Sequence, residues 1–367
     1  MNERHQNDYV IIMAGGVGTR FWPRSRKSLP KQFLDILGTG STLIQDTFKR
    51  FSSFIPAENI YIVTNADYKD LVLSQIPNIS EDQVLLEPIG RNTAPCIAYA
   101  VYKIREKDPN ANYVVAPADH LIADTDTFTK NIELGLDAVQ KENIIMTLGI
   151  QPTRPDTGYG YIQFVKDDQG TGYHQVKTFT EKPQLEFAIK FVESGDFLWN
   201  GGIFLFSTNT IVTAFQSYLE EMAELFEGIK DSYYTDNELD AIDKVYRQCK
   251  PISIDNGIME FADKDNMVYT IPSDFGWSDL GTWGSVHDNS EKDDQGNSVT
   301  GKSLLYDCSN NIIQFHGDKK KLVVAKGLEG FIIVETEDAI LICKKEEEQF
   351  IKNIVTDLKT DFDGVYV

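Results

Sequence analysis

Residues 9–20 read YVIIMAGGVGTR and contain the pattern on which the predicted fold depends. Five apolar residues and Ala14 are followed by three glycines within four positions, Gly15, Gly16 and Gly18. A short apolar run that stops at turn residues is typical of a buried strand. Glycines directly after it let the backbone approach a ligand closely, so that successive N–H groups can face an anion. The stretch therefore predicts a strand followed by an anion-binding turn.

The segment that follows the glycines has a charge opposite to that of the whole chain. The 367 residues carry a formal net charge of −21, yet five of the twelve positions 20–31 are basic: Arg20, Arg24, Arg26, Lys27 and Lys31. A local positive cluster in an acidic protein is typical of a polyphosphate site. A structural turn with a solvated basic flank is the alternative interpretation.

Two other glycine-rich nucleotide sites fit this loop poorly. The GxGxxG fingerprint of dinucleotide-binding folds needs small residues where Arg20 and Phe21 stand. Its acidic residue at the end of the second strand is also missing, because Thr64 and Asn65 stand there. A P-loop needs Gly-Lys-Ser/Thr, which the loop lacks. A dehydrogenase and a P-loop enzyme are therefore disfavoured.

Apolar runs alternate with amphipathic stretches through the first two thirds of the chain. The predicted strands cover residues 9–13, 60–64, 84–87, 113–116 and 144–149, and the predicted helices cover residues 42–51, 68–75, 94–106 and 126–141. Apolar strands separated by helices predict an α/β fold with a Rossmann-like, mostly parallel twisted sheet covered on both faces. Ligands of such sheets bind outside the carboxyl ends of the strands.

The pattern changes at the polar turn of residues 293–297. The chain beyond it contains short β-like runs at residues 303–306, 311–315, 321–325, 330–335 and 339–343, and then a helix-like segment at residues 346–358. Turn residues between segments of different periodicity mark a boundary. We therefore divide the chain into a large domain, residues 1–290, and a small β-rich C-terminal domain, residues 291–367.

Composition excludes several classes of partner and location. The acidic charge balance disfavours binding to nucleic acid and to anionic membranes. The apolar run at residues 9–13 is too short for a signal peptide or a membrane span. The four cysteines lie far apart, without metal-ligand spacing, so reduced thiols are the simplest interpretation. We expect a cytoplasmic protein that binds neither nucleic acid nor membranes.

The glycine-rich segment resembles the activator loop of the sugar-nucleotide pyrophosphorylases and reads here G-G-x-G-T-R-F-x-P-x-S-x-x-x-x-P-K. Residues 30–33, PKQF, and residues 87–95, EPIGRNTAP, are similar to the guanylyltransferase branch of that family. The resemblance covers about residues 8–290 in order. It implies a nucleotidyltransferase domain with a β-helix-like C-terminal domain. The implied reaction is Mg²⁺-dependent transfer of GMP from GTP to mannose-1-phosphate.

The resemblance also implies residue roles at the nucleotide. Arg20 and Lys31 are the expected catalytic cations on the triphosphate. The expected nucleotide-binding residues are Gly15, Gly16, Gly18, Thr19, Glu87, Asn92 and Thr93. Glu87 has a chemical reason for its role, because a carboxylate can accept from both adjacent guanine donors, N1–H and N2–H₂. Asn92 and Thr93 fit an N-cap of the following helix equally well.

Metal and sugar roles are carried over in the same way. Asp119 in P-A-D-H and Asp279 in W-x-D-x-G-T-W resemble the metal carboxylates of the family. Carboxylate oxygens are the ligands that Mg²⁺ prefers. The expected sugar-phosphate residues lie in the segments T-G-Y-G-Y-I, E-K-P, W-N-x-G-x-F and S-I-D, and are Gly158, Glu181, Lys182, Asn200 and Asp255.

Several alternatives stay open at this point. Asn256 stands where the branch has an aromatic residue and Phe261 where it has a lysine, so any role of that lysine is void here. The rival functions are a related nucleotidyltransferase with another sugar or nucleotide, and a catalytically silent subunit that senses a GDP-sugar. Since only about 80 residues follow residue 290, we expect no appended isomerase domain. The sequence leaves both a monomer and a homodimer open.

Overall fold

A computed structural model describes residues 5–166, 170–316 and 321–367. The chain forms two compact units, each built from segments that are distant in sequence. The first, here called the sheet unit, contains Met1–Gly15, Thr47–Ala118 and Ile122–Trp277. The second, here called the C-terminal unit, contains Gly16–Asp46, Asp119–Leu121 and Ser278–Val367. The glycine-rich loop thus leaves the sheet unit after Gly15, and the predicted sequence boundary at residue 290 stays a prediction.

The strands, in chain order, are β1 (Asp8–Met13), β2 (Ile60–Asn65), β3 (Val84–Glu87), β4 (Asn112–Pro117), β5 (Leu121–Ile122), β6 (Ile145–Ile150), β7 (Tyr161–Phe164), β8 (His174–Thr180), β9 (Phe197–Ser207), β10 (Val268–Ser273), β11 (Trp277–Ser278), β12 (Ser298–Thr300), β13 (Lys302–Tyr306), β14 (Ile312–Phe315), β15 (Leu322–Lys326), β16 (Phe331–Glu335) and β17 (Ile340–Lys344). The α-helices are α1 (Leu43–Ser52), α2 (Lys69–Gln75), α3 (Thr93–Lys107), α4 (Thr125–Val139), α5 (Leu185–Ser194), α6 (Thr208–Tyr218), α7 (Glu220–Glu227), α8 (Glu238–Gln248), α9 (Glu260–Ala262), α10 (Trp283–Asp288) and α11 (Ile351–Asp361).

The sheet unit is organised around a nine-stranded mixed sheet, in the order β3-β2-β1-β4-β9-β6-β10-β8-β7. Strands β1 to β4 pair in parallel, as do β6 and β10, whereas β9 runs antiparallel to β4, β6 and β7. The predicted α/β fold is confirmed. The antiparallel strand β9 was not predicted, because its polar and glycine positions interrupt the apolar run that would have marked it.

Helix α3 shows how the core of this unit is closed. Its residues from Ala94 to Ile104 are buried on every face, since the helix lies against strands β1 to β3 and against α7. The Tyr102 ring stacks on Phe226 of α7 with 6.0 Å between centroids. Complete burial of an aromatic or aliphatic side chain contributes about 1.5–3 kcal/mol. The strand ends that precede this helix are therefore held by a well-packed layer.

The C-terminal unit is built from short stacked strands. Strands β12, β14 and β16 pair in parallel, β13 and β15 form a second parallel pair, and β17 pairs antiparallel with β16. The stacked registers place Ile312 beside Ile332, and both are fully buried. Asn311 donates from Nδ2 to Asn297 Oδ1 at 2.9 Å, which satisfies two buried amides at the turns. The predicted β-helix-like domain is confirmed.

The predicted element boundaries need few corrections. Every predicted strand agrees with an observed strand to within one residue at each end. The helix predicted at residues 346–358 is wrong at its start, because Lys345–Phe350 is a 3₁₀ helix and α11 begins at Ile351. A run of three glutamates at that start gave no apolar periodicity from which to tell the two helix types apart. Within the described ranges, no helix is long and apolar enough to cross a bilayer.

Candidate active site

The glycine-rich loop has a defined shape because of one glycine. Gly18 has φ +75°, in the left-handed region, and a Cβ there would lie 2.5 Å from the Lys31 Cβ. The Lys31 amide donates to the Val17 carbonyl at 3.2 Å. Thr19–Phe21 then forms a 3₁₀ turn. Only glycine fits at position 18, because any side chain would be both strained and blocked by Lys31.

The Lys31 side chain brings three predicted site residues together. Its ammonium is 3.0 Å from Asp119 Oδ2 and donates to the Asp279 carbonyl oxygen at 2.8 Å. It also lies 5.3 Å from the centre of the Phe21 ring, which packs edge-on against Trp283. Only 4% of Lys31 is exposed. The lysine is therefore fixed by a charge, a carbonyl dipole and an aromatic face.

Asp119 is ionised in this setting. Burial on its own would raise the pKa of the carboxyl group, but the Lys31 ammonium and then His120 outweigh burial, and the pKa is lowered below its ordinary value. A third of the side chain, 34%, is exposed. A half-buried carboxylate that keeps its charge is a suitable oxygen ligand for a divalent cation.

Asp279 is held in a tight turn of the C-terminal unit. Its Oδ1 accepts from the Gly281 amide at 3.0 Å, and a Cβ at Gly281 would lie 2.5 Å from Asp279 Oδ2. Asp119 and Asp279 thus present two carboxylates on chain segments joined by Lys31. Carboxylates are the ligand type that holds Mg²⁺ together with phosphate oxygens. In the described part of the chain, no three His, Cys, Asp or Glu side chains gather into a metal cluster.

The other basic residues of the loop have divided uses. Arg20 donates from Nε to Gln349 Oε1 at 2.9 Å. Arg26 pairs with Asp338 at 2.8 Å and donates to the Tyr366 carbonyl at 2.6 Å. Burial lowers the pKa of Arg24 to about 10. Fewer basic side chains are therefore left for a phosphate than the sequence indicates, since Arg24 and Arg26 are used in packing the C-terminal unit.

Glu87 lies at the end of β3 in the sheet unit and is only 5% exposed. Its Oε1 accepts from the Tyr246 hydroxyl at 3.1 Å. Its Oε2 would be 3.2 Å from a Cβ at Gly15, so glycine at that position leaves room for the carboxylate. Burial raises the pKa of Glu87 to about 7, and the Tyr246 hydrogen bond offsets part of that rise.

Asn92 and Thr93 make the capping contacts that the sequence left open as an alternative. Asn92 has φ 70° and its Oδ1 accepts from the Thr93 amide at 2.8 Å, at the start of α3. The Thr93 hydroxyl accepts from the Ile254 amide at 2.9 Å. Both side chains are thus engaged within the protein, and their nucleotide roles stay predictions. Thr93 also anchors the segment that leads to Asp255.

Strand register explains how the sugar-side segments meet. Strand β7 lies between β8 and β9 and pairs Tyr161 with both Thr180 and Trp199. The residues next to these three positions are therefore neighbours in space. Gly160 precedes Tyr161, Glu181 follows Thr180, and Asn200 follows Trp199. A Cβ at Gly160 would lie 2.6 Å from Glu181 Oε2 and 3.3 Å from Asn200 Cβ.

Four of the predicted sugar-side residues form one cluster. Asn200 donates from Nδ2 to Asp255 Oδ1 at 2.9 Å, and Lys182 pairs with Glu181. Asp255 opens a π-helical turn, Asp255–Met259, a geometry common at functional sites. Burial and then the charge of Glu181 raise the pKa of Asp255 to about 6, although Lys182 and Asn200 act in the opposite direction. The cluster combines hydrogen-bond acceptors with one cation.

The remaining predicted residues have simpler surroundings. The Gly158 amide donates to Asp156 Oδ1 at 2.8 Å, which closes a local turn. Gly16 would place a Cβ in open space, with no atom within 4 Å. Thr19 opens the 3₁₀ turn, and its carbonyl accepts from the Trp22 amide at 3.1 Å. The turn at Gly158 is the structural use that glycine often has, and the sugar role of Gly158 stays a prediction.

Comparison with known proteins gives matches over both parts of the chain. The family described as "Nucleotidyl transferase" matches residues 9–296, and the family described as "MannoseP isomerase/GMP-like beta-helix domain" matches residues 301–358. A mannose-1-phosphate guanylyltransferase of Escherichia coli is 34% identical, over 95% of this chain and 75% of that protein. The alginate biosynthesis protein AlgA of Pseudomonas aeruginosa is 37% identical, over 95% of this chain and 71% of that protein.

The chain belongs to the mannose-1-phosphate guanylyltransferase family. It is thus an enzyme of the nucleotidyltransferase class. A solved structure from Thermus thermophilus, described as a mannose-1-phosphate geranyltransferase, aligns with a TM-score of 0.86 and 28% identity. That alignment covers 96% of this chain and all of that one. The likeness to these proteins therefore includes the sheet unit and the stacked C-terminal strands.

Sequence reasoning missed four residues that shape the site. They are Phe21 beneath the Lys31 ammonium, Gly160 beside Glu181, Tyr246 on Glu87, and Gln349 on Arg20. The first two stand inside quoted motifs and could have been found there. Tyr246 and Gln349 lie 159 and 329 residues from their partners, so no local pattern marks them.

Proposed function

We propose that this chain transfers GMP from GTP to mannose-1-phosphate and releases pyrophosphate. A phosphate oxygen of the sugar attacks the α-phosphorus of GTP. The bond from that phosphorus to the bridging oxygen of pyrophosphate breaks, and the electron pair leaves with pyrophosphate. The phosphate monoester is already an anionic nucleophile, so no general base is needed. Catalysis then consists of positioning and neutralisation of charge.

Lys31 and Arg20 are the proposed cationic residues of the reaction. The Lys31 ammonium is fixed by Asp119 and by the Asp279 carbonyl, so it needs no rearrangement to meet developing negative charge. Arg20 offers a planar donor set suited to phosphate oxygens. Together they would hold the triphosphate and stabilise the charge that builds on the α-phosphoryl group.

Asp119 and Asp279 are the residues that would hold Mg²⁺. The lowered pKa of Asp119 keeps this ligand charged at neutral pH. When bound, the ion would neutralise phosphate charge and polarise the phosphorus–oxygen bond. Lys31 keeps the Asp119 carboxylate oriented and ionised, which prepares the ligand without a step of its own.

Glu87 and the cluster around Asp255 are the proposed selectors of base and sugar. Glu87 would accept from the N1–H and N2–H₂ donors of guanine, and its ionised form is the one that can accept both. Glu181, Asn200 and Asp255 would accept from or donate to sugar hydroxyls, while Lys182 would pair with the sugar phosphate. The names of the relatives support mannose-1-phosphate as the acceptor.

The observation that carries this proposal is the Lys31 ammonium, held between Asp119 and Asp279 at the end of a glycine-rich loop. The test is a matrix of nucleoside triphosphates against sugar-1-phosphates with purified protein, Mg²⁺ and a pyrophosphate-release readout. We expect the highest kcat/KM with GTP and mannose-1-phosphate. No GDP-mannose at saturating substrates would contradict the proposal, and a different best pair would redirect it within the family.

The sugar specificity is the part of the proposal that most needs this matrix. Phe261 stands where the branch has a lysine, and its ring stacks on Tyr218 at 6.0 Å. Lys264, one turn further on, lies 5.1 Å from the Phe261 ring centre. A lysine charge is thus present nearby on a different residue. We also propose a cytoplasmic location. The oligomeric state is a separate question, and sedimentation of the same preparation would decide between monomer and homodimer.

A further inference from the structure

We propose that Gln349 is a positioning residue for Arg20, and that residues 345–367 support the phosphate-binding loop and contribute to its function. The inference rests on the proposed catalytic role of Arg20. It assigns a role in catalysis to a segment that follows the stacked strands and is distant in sequence from every motif quoted above.

The primary contact is a single hydrogen bond within the C-terminal unit. Arg20 donates from Nε to Gln349 Oε1 at 2.9 Å. Among the described residues, neither terminal nitrogen of Arg20 has a hydrogen-bond partner, since its one hydrogen bond is made by Nε. Fixing Nε therefore sets the plane of the guanidinium and leaves its outer fork of donors for a phosphate.

Gln349 is itself placed by its neighbour Glu348. Glu348 Oε2 accepts from the Gly284 amide at 2.7 Å, at the start of α10. A Cβ at Gly284 would lie 2.9 Å from that oxygen, so the site of the carboxylate is built into the chain. Gly284 lies five residues after Asp279 in the sequence. One short segment, Lys345–Phe350, thus contacts both the loop of Arg20 and the start of the helix that follows Asp279.

Contacts that do not involve Gln349 hold this segment against the loop. Ile351 and Val355 of α11 are buried in one apolar cluster with Phe21 and Trp22. Trp22 donates from Nε1 to the Tyr366 carbonyl at 2.8 Å. These contacts supply the packing, so loss of the Gln349 side chain should leave the unit folded and change only the orientation of Arg20.

The chemistry of glutamine suits this task better than that of a carboxylate. Glu348 already places one carboxylate within electrostatic reach of Arg20, and the amide oxygen of Gln349 orients the guanidinium without adding a second negative charge. A carboxylate would form an ion pair with Arg20 and compete with the substrate. The geometry therefore predicts that Gln349→Glu, although it keeps the acceptor atom, weakens GTP binding and raises KM for GTP.

The test is a double-mutant cycle with steady-state kinetics at saturating Mg²⁺. We expect Gln349→Leu to lower kcat/KM for GTP about five- to tenfold, within the range for loss of one ordinary intramolecular hydrogen bond, because this contact is exposed to solvent. KM for mannose-1-phosphate and the melting temperature should stay unchanged. In an Arg20→Ala background, Gln349→Leu should have no further effect. Gln248→Leu, at an exposed glutamine at the end of α8, is the matched control and should match wild type.

Two outcomes separate the inference from the function on which it rests. An equal fall for Gln349→Leu in wild-type and Arg20→Ala backgrounds would overturn the positioning role and leave the proposed function intact. Full activity of Arg20→Ala would overturn the proposed role of Arg20 and the inference with it. If Gln349→Glu keeps the wild-type KM for GTP, the preference for a neutral acceptor is wrong.

Discussion

Two regions of this molecule treat a shielded carboxyl group in opposite ways. In the C-terminal unit, Asp119 lies 3.0 Å from the Lys31 ammonium and its pKa is lowered. In the sheet unit, Glu87 has a tyrosine hydroxyl as its partner and Asp255 an asparagine amide, and their pKa values are raised to about 7 and about 6. Partners therefore decide whether a shielded carboxyl stays charged at neutral pH.

The difference indicates a division of labour. A fixed charge suits the residues proposed for phosphate and metal, where the same electrostatic task is needed at every working pH. A carboxyl group poised near neutrality suits recognition, because hydrogen bonds from a bound base or sugar favour its ionised form. Substitutions on the phosphate side should therefore lower the rate for all substrates, whereas substitutions on the recognition side should change selectivity and pH dependence.

The largest expected effect is at Lys31. Lys31→Ala removes the ammonium that joins Asp119 to the Asp279 carbonyl, and kcat should fall by roughly a thousandfold, as for loss of a preorganised charge-stabilising group. Pyrophosphate release measures it. Lys27→Ala, at an exposed lysine of the same loop, is the matched control and should keep the wild-type rate. If Lys31→Ala kept the wild-type kcat, the phosphate side would not control the rate, and the proposed difference between the phosphate side and the recognition side would be wrong.

Asp119→Asn should have the next largest effect. The amide is a neutral and poorer ligand for Mg²⁺, so we expect a fall in kcat of about a hundredfold and a higher Mg²⁺ concentration for half-maximal rate. A Mg²⁺ titration of the initial rate gives both values. Asp126→Asn, at an exposed aspartate in the first turn of α4, controls for loss of one negative charge. An unchanged Mg²⁺ requirement would exclude Asp119 as a ligand.

Asp255 should give a smaller, pH-dependent effect. Its pKa of about 6 means that the ionised acceptor is lost as pH falls through 6, so KM for mannose-1-phosphate should rise about tenfold between pH 7 and pH 5. Glu181 and Lys182 are the charged groups that face it. Asp255→Asn should have the higher KM throughout and a smaller change between pH 7 and pH 5, since only the second ionisation of the substrate phosphate then remains in that range. A wild-type KM that is flat from pH 5 to pH 7 would contradict this account.

The smallest expected effect is at Tyr246. Its hydroxyl lowers the pKa of Glu87, so Tyr246→Phe should raise that pKa further. The rise of kcat/KM for GTP with pH, centred near 7 in wild type, should move to higher pH, with a loss of about three- to fivefold at pH 7. Profiles from pH 6 to pH 9 measure the shift. A profile that keeps its midpoint would show that Tyr246 does not tune Glu87.

Sequence predicted the fold well where one local rule was enough. Strands β1 to β4 are continuous apolar runs, and each was predicted to within one residue. Strands β7, β8 and β10 were not predicted, and β9 was missed because Asn200, Gly201 and Gly202 interrupt its apolar pattern. The two compact units could not be predicted either, since they join residues 16–46 to residues 278–367.

The candidate site was predictable to the same extent. Sequence motifs identified Lys31, Asp119 and Asp279. In the structure, the Lys31 ammonium contacts the Asp119 carboxylate and the Asp279 carbonyl oxygen. The pKa direction of Glu87 depends on Tyr246, which is distant in sequence, and on burial that only the fold creates. Gln349 has no motif at all, because a single side-chain hydrogen bond to Arg20 leaves no periodic trace in the chain.

The comparison of kcat/KM for GTP and for inosine triphosphate, with mannose-1-phosphate at pH 8, tests the two-region account most directly. Inosine lacks the N2–H₂ group, from which Glu87 is proposed to accept a hydrogen bond. We expect wild type to prefer GTP by about ten- to a hundredfold and Glu87→Gln to lose that preference. Lys31→Ala should lose rate on both nucleotides and still prefer GTP. A Glu87→Gln enzyme that still prefers GTP as wild type does would contradict the account.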